Sequence, residues 1–506
     1  MPNEDASGVI TDVEPGGFTP EALNAKEEAP SIEAQHLSKL KQITKHEWIP
    51  ALLILLLDII FWIGIYTAAN SLRGVETIDT LQFAILGTLN LVVIVQALYI
   101  VGGYDRNIEM RSLFYATEHL LALASAAIFS SFLIYSIASY QQAIKPSRGV
   151  LLLSFAAFAP LSLMYRRWMR ASIAAETASK SFLVLGSGET AASFYEAYKN
   201  SPNQQRLHFV DLNNERVGRP IAGEGSPVIE GDVEAKLANA DNNYSGIILA
   251  EKLKKLSHEL LERLVRTQFH ATRVYTMESF YETHWRYVPL NVIDPVWPLQ
   301  TGFQLARISP YHYLKRLFDV IASGVLLIIC SPLLVLLTCL VWLTSGRPAI
   351  FRQLRAGREG QPFLAYKFRT MEMRTDASVA DEDDIYTREG DPRITRVGRW
   401  LRKLRLDELP QLWNVFKGDM SLIGPRAEWI KCSERYEKKI PFYHFRHLVK
   451  PGITGWAQVN YPYGESEEDA IEKLKYDLYY IRHYSLKLDA MIALKTVHTM
   501  LFGKGR

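Results

Sequence analysis

Four blocks, each about 20 residues long and almost wholly apolar, dominate the first third of the chain. They are Trp48–Ala68, Leu81–Val101, Tyr115–Ser136 and Val150–Tyr165. A helix of such length crosses the ~30 Å hydrocarbon layer of a bilayer. Ala51–Ile65 holds one charge, Asp58, and no polar face, so a helix packed inside a soluble bundle fits it poorly. The pattern predicts four membrane spans, and the flanks give their direction. Lys39, Lys41 and Lys45 precede the first span, Arg106 and Arg111 follow the second, and Arg166, Arg167 and Arg170 follow the fourth. The opposite loops carry only Arg73, Lys145 and Arg148. The positive-inside bias places the N-terminus and everything after Arg170 in the cytoplasm.

A fifth apolar run, Leu317–Leu343, is interrupted by Ser331-Pro332 and flanked by basic residues on both sides: Lys315 and Arg316 before, Arg347, Arg352, Arg355 and Arg358 after. A spanning helix would strand one basic flank outside. The charge pattern therefore predicts a re-entrant hairpin broken at Ser331 and Pro332, whose freed backbone groups need partners within the protein.

Between these blocks the pattern is that of a soluble α/β unit. Ser181–Gly186 reads as a buried strand, Gly186-Ser187-Gly188 as a tight turn, and the following residues through Tyr198 as a helix; a second strand, Leu207–Val210, ends at Asp211. Further strands are predicted at Gly246–Ala250 and Thr272–Tyr275, with a helix at His258–Gln268 between them. This is how a doubly wound, Rossmann-like sheet opens, with Asp211 where a ribose partner would stand. Glycines at such a turn also serve plain close packing, so a nucleotide at Gly186, Gly188 and Asp211 and a structural or regulatory module both stay open.

In the last third, Asp407-Glu408-Leu409-Pro410 precedes Leu412, Trp413 and Phe416 at helical spacing, and Lys417-Gly418 ends the run. The dyad is expected in a first helical turn, where the dipole favours ionised acids and free N–H groups favour an anion. Adjacent positions project about 100° apart, so the two acids can take different tasks. Thr395–Leu406 alternates arginines and lysine with Val397, Trp400, Leu401 and Leu404, a basic amphipathic helix suited to an anionic membrane interface. Leu488–Leu501 repeats the arrangement more weakly.

Composition refines this division. The 506 residues carry a formal net charge of +3, too small to argue for nucleic acid, and the basic patches fit phospholipid better. Three cysteines (Cys330, Cys339, Cys432) make no disulfide framework. The histidines have no zinc spacing, and the acidic stretch Asp376–Asp384 reads as a solvated loop. No cleavable signal is visible; residues 1–36 read as a disordered leader, 37–170 as the membrane domain, 171–305 as the α/β domain and 306–506 as the catalytic domain.

The last third also resembles a known family. KRLFDV (315–320), Ser331-Pro332, FRQLRAGREGQPFLAYKFRTM (351–371), DPRITRVGRWLRKLRLDELPQLWNVFKGDMSLIGPR (391–426), KPGITGWAQVN (450–460) and YDLYYI (476–481) together resemble the bacterial polyprenyl-phosphate hexose-1-phosphate transferases of exopolysaccharide and O-antigen assembly. Four spans plus an α/β module are similar to the large form of that family. The resemblance implies a bacterial inner-membrane enzyme that moves hexose-1-phosphate from a UDP-hexose to undecaprenyl phosphate and releases UMP. It implies Asp407 as the nucleophile of a covalent phosphosugar intermediate and Glu408 as the Mg²⁺ ligand. It implies Lys367, Arg369, Arg393, Pro425 and Arg426 as phosphate or nucleotide contacts, with Gln458 and Asp477 as site-lining candidates. Arginine forks and a divalent cation make sense where a carboxylate attacks a pyrophosphate. One departure stands out: the usual second proline after Arg426 is Ala427, which puts the stiffness of that turn in doubt. A homodimer through the membrane and α/β parts is a further expectation. Two rivals are an oxidoreductase or epimerase working through Gly186–Asp211, although its Tyr195 and Lys199 lie in the wrong helix, and a non-catalytic scaffold, which the intact dyad argues against.

Overall fold

The apolar blocks form helices in the computed structural model, which describes residues 48–73, 80–105, 108–139, 147–178, 180–201, 204–238, 240, 244–270, 272–293, 297–299, 302–303, 309–372, 391–462, 464 and 466–502. The predicted leader, the acidic stretch Asp376–Asp384, and Lys39, Lys41, Lys45, Arg106 and Lys145 of the orientation argument lie outside these residues. The apolar helices are α1 (Trp48–Leu72), α2 (Thr80–Ile100), α3 (Leu113–Ala138) and α4 (Arg148–Ala178). The Ser112 side chain caps α3 by accepting the Tyr115 N–H at 3.1 Å. The expected domain boundary after residue 170 falls inside α4, because the alanine-rich stretch 171–178 propagates the helix past the apolar block.

A lone carboxylate in an apolar helix needs a partner. Asp58 of α1 finds it in Arg166 of α4, whose two terminal nitrogens meet the two carboxylate oxygens at 2.9 and 2.6 Å. The hydroxyls of Tyr104 and Tyr165 donate to the same carboxylate. Arg166, counted above among the cytoplasmic flank charges, is thus fully buried inside the bundle.

The middle module contains β1 (Ser181–Leu185), α5 (Glu189–Tyr198), β2 (Arg206–Val210), β3 (Tyr244–Leu249), α6 (His258–His270) and β4 (Arg273–Thr276). The four strands form one parallel sheet of order β2-β1-β3-β4, so the strand order reverses between β1 and β3, where such sheets open a crevice. At the neighbouring ends of β1 and β2 the module's own groups are tied to one another. Ser187 Oγ donates to Asp211 Oδ1 at 2.8 Å, and Asp211 Oδ2 accepts the Arg216 N–H at 2.9 Å. A Cβ added to Gly186 would strike the Glu251 side chain at 2.9 Å. The Glu251 carboxylate beside this glycine turn pairs with Lys255 at 3.0 Å.

The fifth apolar run forms α7 (Tyr311–Ser345), a single helix with Pro332 in its interior. The predicted hairpin therefore does not appear as two helices joined by a turn. The reason is local: Pro332 cannot donate to the Ile328 carbonyl four residues back, and Ser331 Oγ donates to that carbonyl instead, at 2.8 Å. Both ends of α7 are gripped by the C-terminal domain. Arg316 donates to the Val415 and Phe416 carbonyls at 2.7 and 2.8 Å, and Arg369 donates to the Gly346 and Arg347 carbonyls at 2.5 and 3.1 Å.

The remaining chain builds the domain that α7 serves. An antiparallel hairpin, β5 (Ile350–Ala356) with β6 (Pro362–Phe368), is followed by α8 (Arg396–Lys403) and α9 (Gln411–Lys417). Next come β7 (Ser421–Ile423), α10 (Ile430–Lys439), β8 (Gly452–Thr454), α11 (Glu467–Arg482) and α12 (Leu486–Phe502), with β7 and β8 parallel. α8 keeps the predicted amphipathic character: Leu401 is buried, while Trp400, Leu404, Arg399 and Lys403 are exposed. α12 differs from expectation. One side packs against α2 and α3, where Lys487 stacks 3.9 Å from the Tyr99 ring centre and His498 meets the Phe114 ring, while Leu486, Met500 and Leu501 stay exposed.

Candidate active site

The dyad stands on one wall of a cleft of about 1860 Å³. Arg405 is left-handed (φ 55°), and the reversal it imposes makes Leu406–Glu408 a single 3₁₀ turn ahead of α9. The dyad thus stands one turn before the α-helix rather than within its first turn, as the sequence suggested. Gly398 lets α8 approach: a Cβ there would lie 2.1 Å from the Thr370 carbonyl oxygen.

Glu408 Oε1 accepts from Lys367 Nζ at 2.7 Å and from Arg426 Nη2 at 3.2 Å. Burial would raise the Glu408 carboxyl, but Arg426 and Lys367 outweigh it and hold the group below the usual carboxylate range. Burial brings Lys367 down to about 8, which the neighbouring Glu408 opposes. Asp407 moves the other way: burial raises it first, and the adjacent Glu408 charge adds to that. One acid is therefore neutralised by two cations while its neighbour lines the cleft.

The turn bearing Arg426 is held on three successive carbonyls. Pro425 accepts from the Gly452 N–H at 2.8 Å, Arg426 from Arg446 Nη2 at 3.1 Å, and Ala427 from Arg355 Nη1. Ala427 is itself buried against Val415 and Met420. Hydrogen bonds fix this turn without the second proline. Behind it the backbones touch: a Cβ on Gly455 would lie 2.1 Å from the Gly424 carbonyl oxygen.

The other sequence candidates divide. Lys367, Arg393, Arg426 and Gln458 line the cleft. Gln458 donates to the Ile453 carbonyl at 3.1 Å, and its Oε1 is buried with no hydrogen-bond partner among the described residues. Arg393 binds its own neighbour Asp391 through Nε and Nη2. Arg369 also lines the cleft, but its guanidinium caps the end of α7. Pro425 and Asp477 do not line it; Asp477 is buried on α11, where its Oδ2 accepts from Arg446 at 3.0 Å. Sequence reasoning missed Arg355 and Arg446, which carry the Arg426 turn. A signal existed for Arg446, which stands near Tyr443 and Val449, both buried; Arg355 lies in a basic strand with Phe351 and Leu354 half exposed and carried none.

A divalent cation suits this corner in one respect. Magnesium is commonly held by one or two carboxylates together with substrate phosphates, and Asp407 and Glu408 offer such a pair. Among the described residues no group of three or more His, Cys, Asp or Glu could enclose a metal alone.

A family model described as bacterial sugar transferase matches residues 310–503. The chain is 43% identical over 205 residues to a UDP-N-acetylgalactosamine-undecaprenyl-phosphate N-acetylgalactosaminephosphotransferase of Aeromonas hydrophila, covering 40% of this chain and 48% of that protein. It is 35% identical over 287 residues to a UDP-glucose:undecaprenyl-phosphate glucose-1-phosphate transferase of Escherichia coli (strain K12), covering 56% and 58%. These matches span about half the length of those relatives. A UDP-glucose:undecaprenyl-phosphate glucose-1-phosphate transferase of Caulobacter vibrioides is 41% identical over 216 residues, which cover 42% of this chain and 79% of the relative. On that coverage and the matched domain, the chain belongs to the bacterial sugar transferase family.

Proposed function

We propose that the chain transfers a sugar-1-phosphate from a UDP-sugar, a UDP-hexose by family habit, to undecaprenyl phosphate, with UMP as the other product. The observation that carries this reading is an Asp–Glu dyad on a cleft wall in which Glu408 is neutralised by Lys367 and Arg426. An Asp407 oxygen attacks the sugar-bearing phosphorus, and the bond from that phosphorus to the UMP oxygen breaks as the pair of electrons leaves with UMP. An oxygen of undecaprenyl phosphate then attacks the same phosphorus. The bond to Asp407 breaks, its carboxylate is regenerated, and the lipid leaves as a diphospho-sugar. Arg426 and Lys367 fix Glu408 and offset phosphate charge during both displacements. Mg²⁺ at Asp407 and Glu408 would supply further charge neutralisation.

The covalent intermediate suits substrates from two phases, because one pocket serves each in turn. The helices α1, α3, α4 and α7, each long and apolar enough to cross a membrane, and the exposed Trp400 and Leu404 at α8 support a place in the bacterial inner membrane with the cleft at cytoplasmic headgroup depth. The named relatives act on both glucose and N-acetylgalactosamine donors, so the donor panel must include both.

The test is UMP release by purified protein given Mg²⁺, undecaprenyl phosphate and UDP-glucose, UDP-galactose or UDP-N-acetylgalactosamine. Asp407→Asn should lower turnover roughly 10³-fold or more while the protein stays folded. UMP release that persists in that variant would reject Asp407 as nucleophile, and none from wild type with any donor would reject the reaction.

A further inference from the structure

The helix Trp456–Asn460, whose Gln458 lines the cleft, is braced from the membrane bundle by two separate struts. In the first, Asp105, just after α2, pairs with Arg286 Nη2 at 2.9 Å, and the Arg286 carbonyl accepts from Trp456 Nε1 at 2.9 Å. Arg286 is left-handed (φ 56°), a conformation that costs free energy for a side-chain-bearing residue and that its contacts must sustain. In the second, Glu118 of α3 lies 3.6 Å from Lys495 Nζ, and Lys495 donates to Asn460 Oδ1 at 3.2 Å. The Lys495 ammonium also lies over the Phe114 and Trp456 rings, 4.4 and 5.3 Å from their centres. Glu118 and Lys495 are both largely buried. One strut thus ends on the first residue of the short helix and the other on its last.

The helix has no slack at its other contact. Its N-cap, Gly455, touches the Gly424 backbone, and the Gly424 N–H donates to the Thr454 carbonyl at 2.8 Å. Gly424 leads directly into Pro425 and Arg426, the partner of Glu408. A displacement of the helix therefore transmits to Gln458 on the cleft wall and to Arg426 at the dyad.

We propose that Arg286 and Lys495 are positioning residues through which the N-terminal membrane bundle sets the placement of Gln458 and Arg426. Neither touches the dyad. The inference rests on the transfer reaction proposed above and adds to it a dependence on residues outside the matched transferase core, namely Asp105, Glu118 and Arg286.

Small displacements of groups that orient reacting atoms cost up to about 10²-fold in rate. The full chain carrying Arg286→Ala, and the full chain carrying Glu118→Gln together with Lys495→Met, should each show kcat lowered about tenfold, on the scale of such displacements. The paired change removes the second strut without stranding a buried carboxylate. Lys495→Arg should restore most of the turnover, and Trp456→Phe, which keeps the ring but removes its donor, should reproduce the Arg286→Ala loss. Thermal melting of each variant is measured alongside. The inference is overturned by kcat within twofold of wild type in both strut variants, or by losses that follow melting temperature and are not recovered by Lys495→Arg. Absence of UMP from wild type in the same preparations would instead reject the reaction, so the two failures are distinct.

Discussion

Asp211 and Glu408 are both acids beside a tight turn, and both are satisfied by neighbours. Asp211 is held by one hydroxyl and a backbone N–H, which with other backbone groups lower it against the opposing effect of burial. Glu408 is held by two cations drawn from distant parts of the chain. The first arrangement closes a loop upon itself. The second gathers lysine and arginine beside a second carboxylate that lines the cleft. A motif signals chemistry when its groups are held by long-range partners around a cleft; held by its own loop, it signals a stable turn.

The sharpest way to break that comparison is at Arg426. Arg426→Ala should lower kcat/KM for UMP release about 10²-fold, in line with loss of one charge-stabilising donor, with Arg426→Lys recovering only part because a point charge does not reproduce the fork. A loss under threefold in Arg426→Ala would mean the cations serve folding alone. Asp211→Asn should do the reverse. Removing a buried acceptor costs on the order of 1–3 kcal/mol, so melting temperature should drop while kcat stays within twofold; a large drop in kcat would reopen a functional role for that turn. The smallest effect concerns Asp477, which burial raises to about 6 despite Arg446 beside it. A raised acid stabilises the fold below its ordinary value of 3.8 and loses that contribution as pH rises through about 6. Melting temperatures of wild type and Asp477→Asn should therefore diverge across that interval, and parallel curves would refute the assignment.

What the sequence disclosed follows the range of the interactions involved. Hydrophobic blocks, the strand–turn–helix opening of the middle module and the basic face of α8 are local patterns, and each appears in the structure. Asp58 announced its need for a partner, but only the fold reveals that Arg166 answers it. The run around Ser331-Pro332 stays one continuous helix, and Ser331 supplies within the protein the bond that Pro332 forfeits. Asp477 looked like a site residue because it belongs to a motif, whereas it acts two contacts away, through Arg446 on the Arg426 carbonyl. The amphipathic pattern of α12 could not distinguish lipid from the α2 and α3 surfaces it covers.

The Ser331 repair also bears on the bilayer. Ile328 and Ile329 are 75% and 68% exposed on α7, so an unbonded Ile328 carbonyl would face lipid tails, where an orphaned polar group costs several kcal/mol. Such a group would draw a water molecule inward or thin the leaflet around it. With the hydroxyl in place, the helix carries a proline in this apolar segment without orphaning that carbonyl.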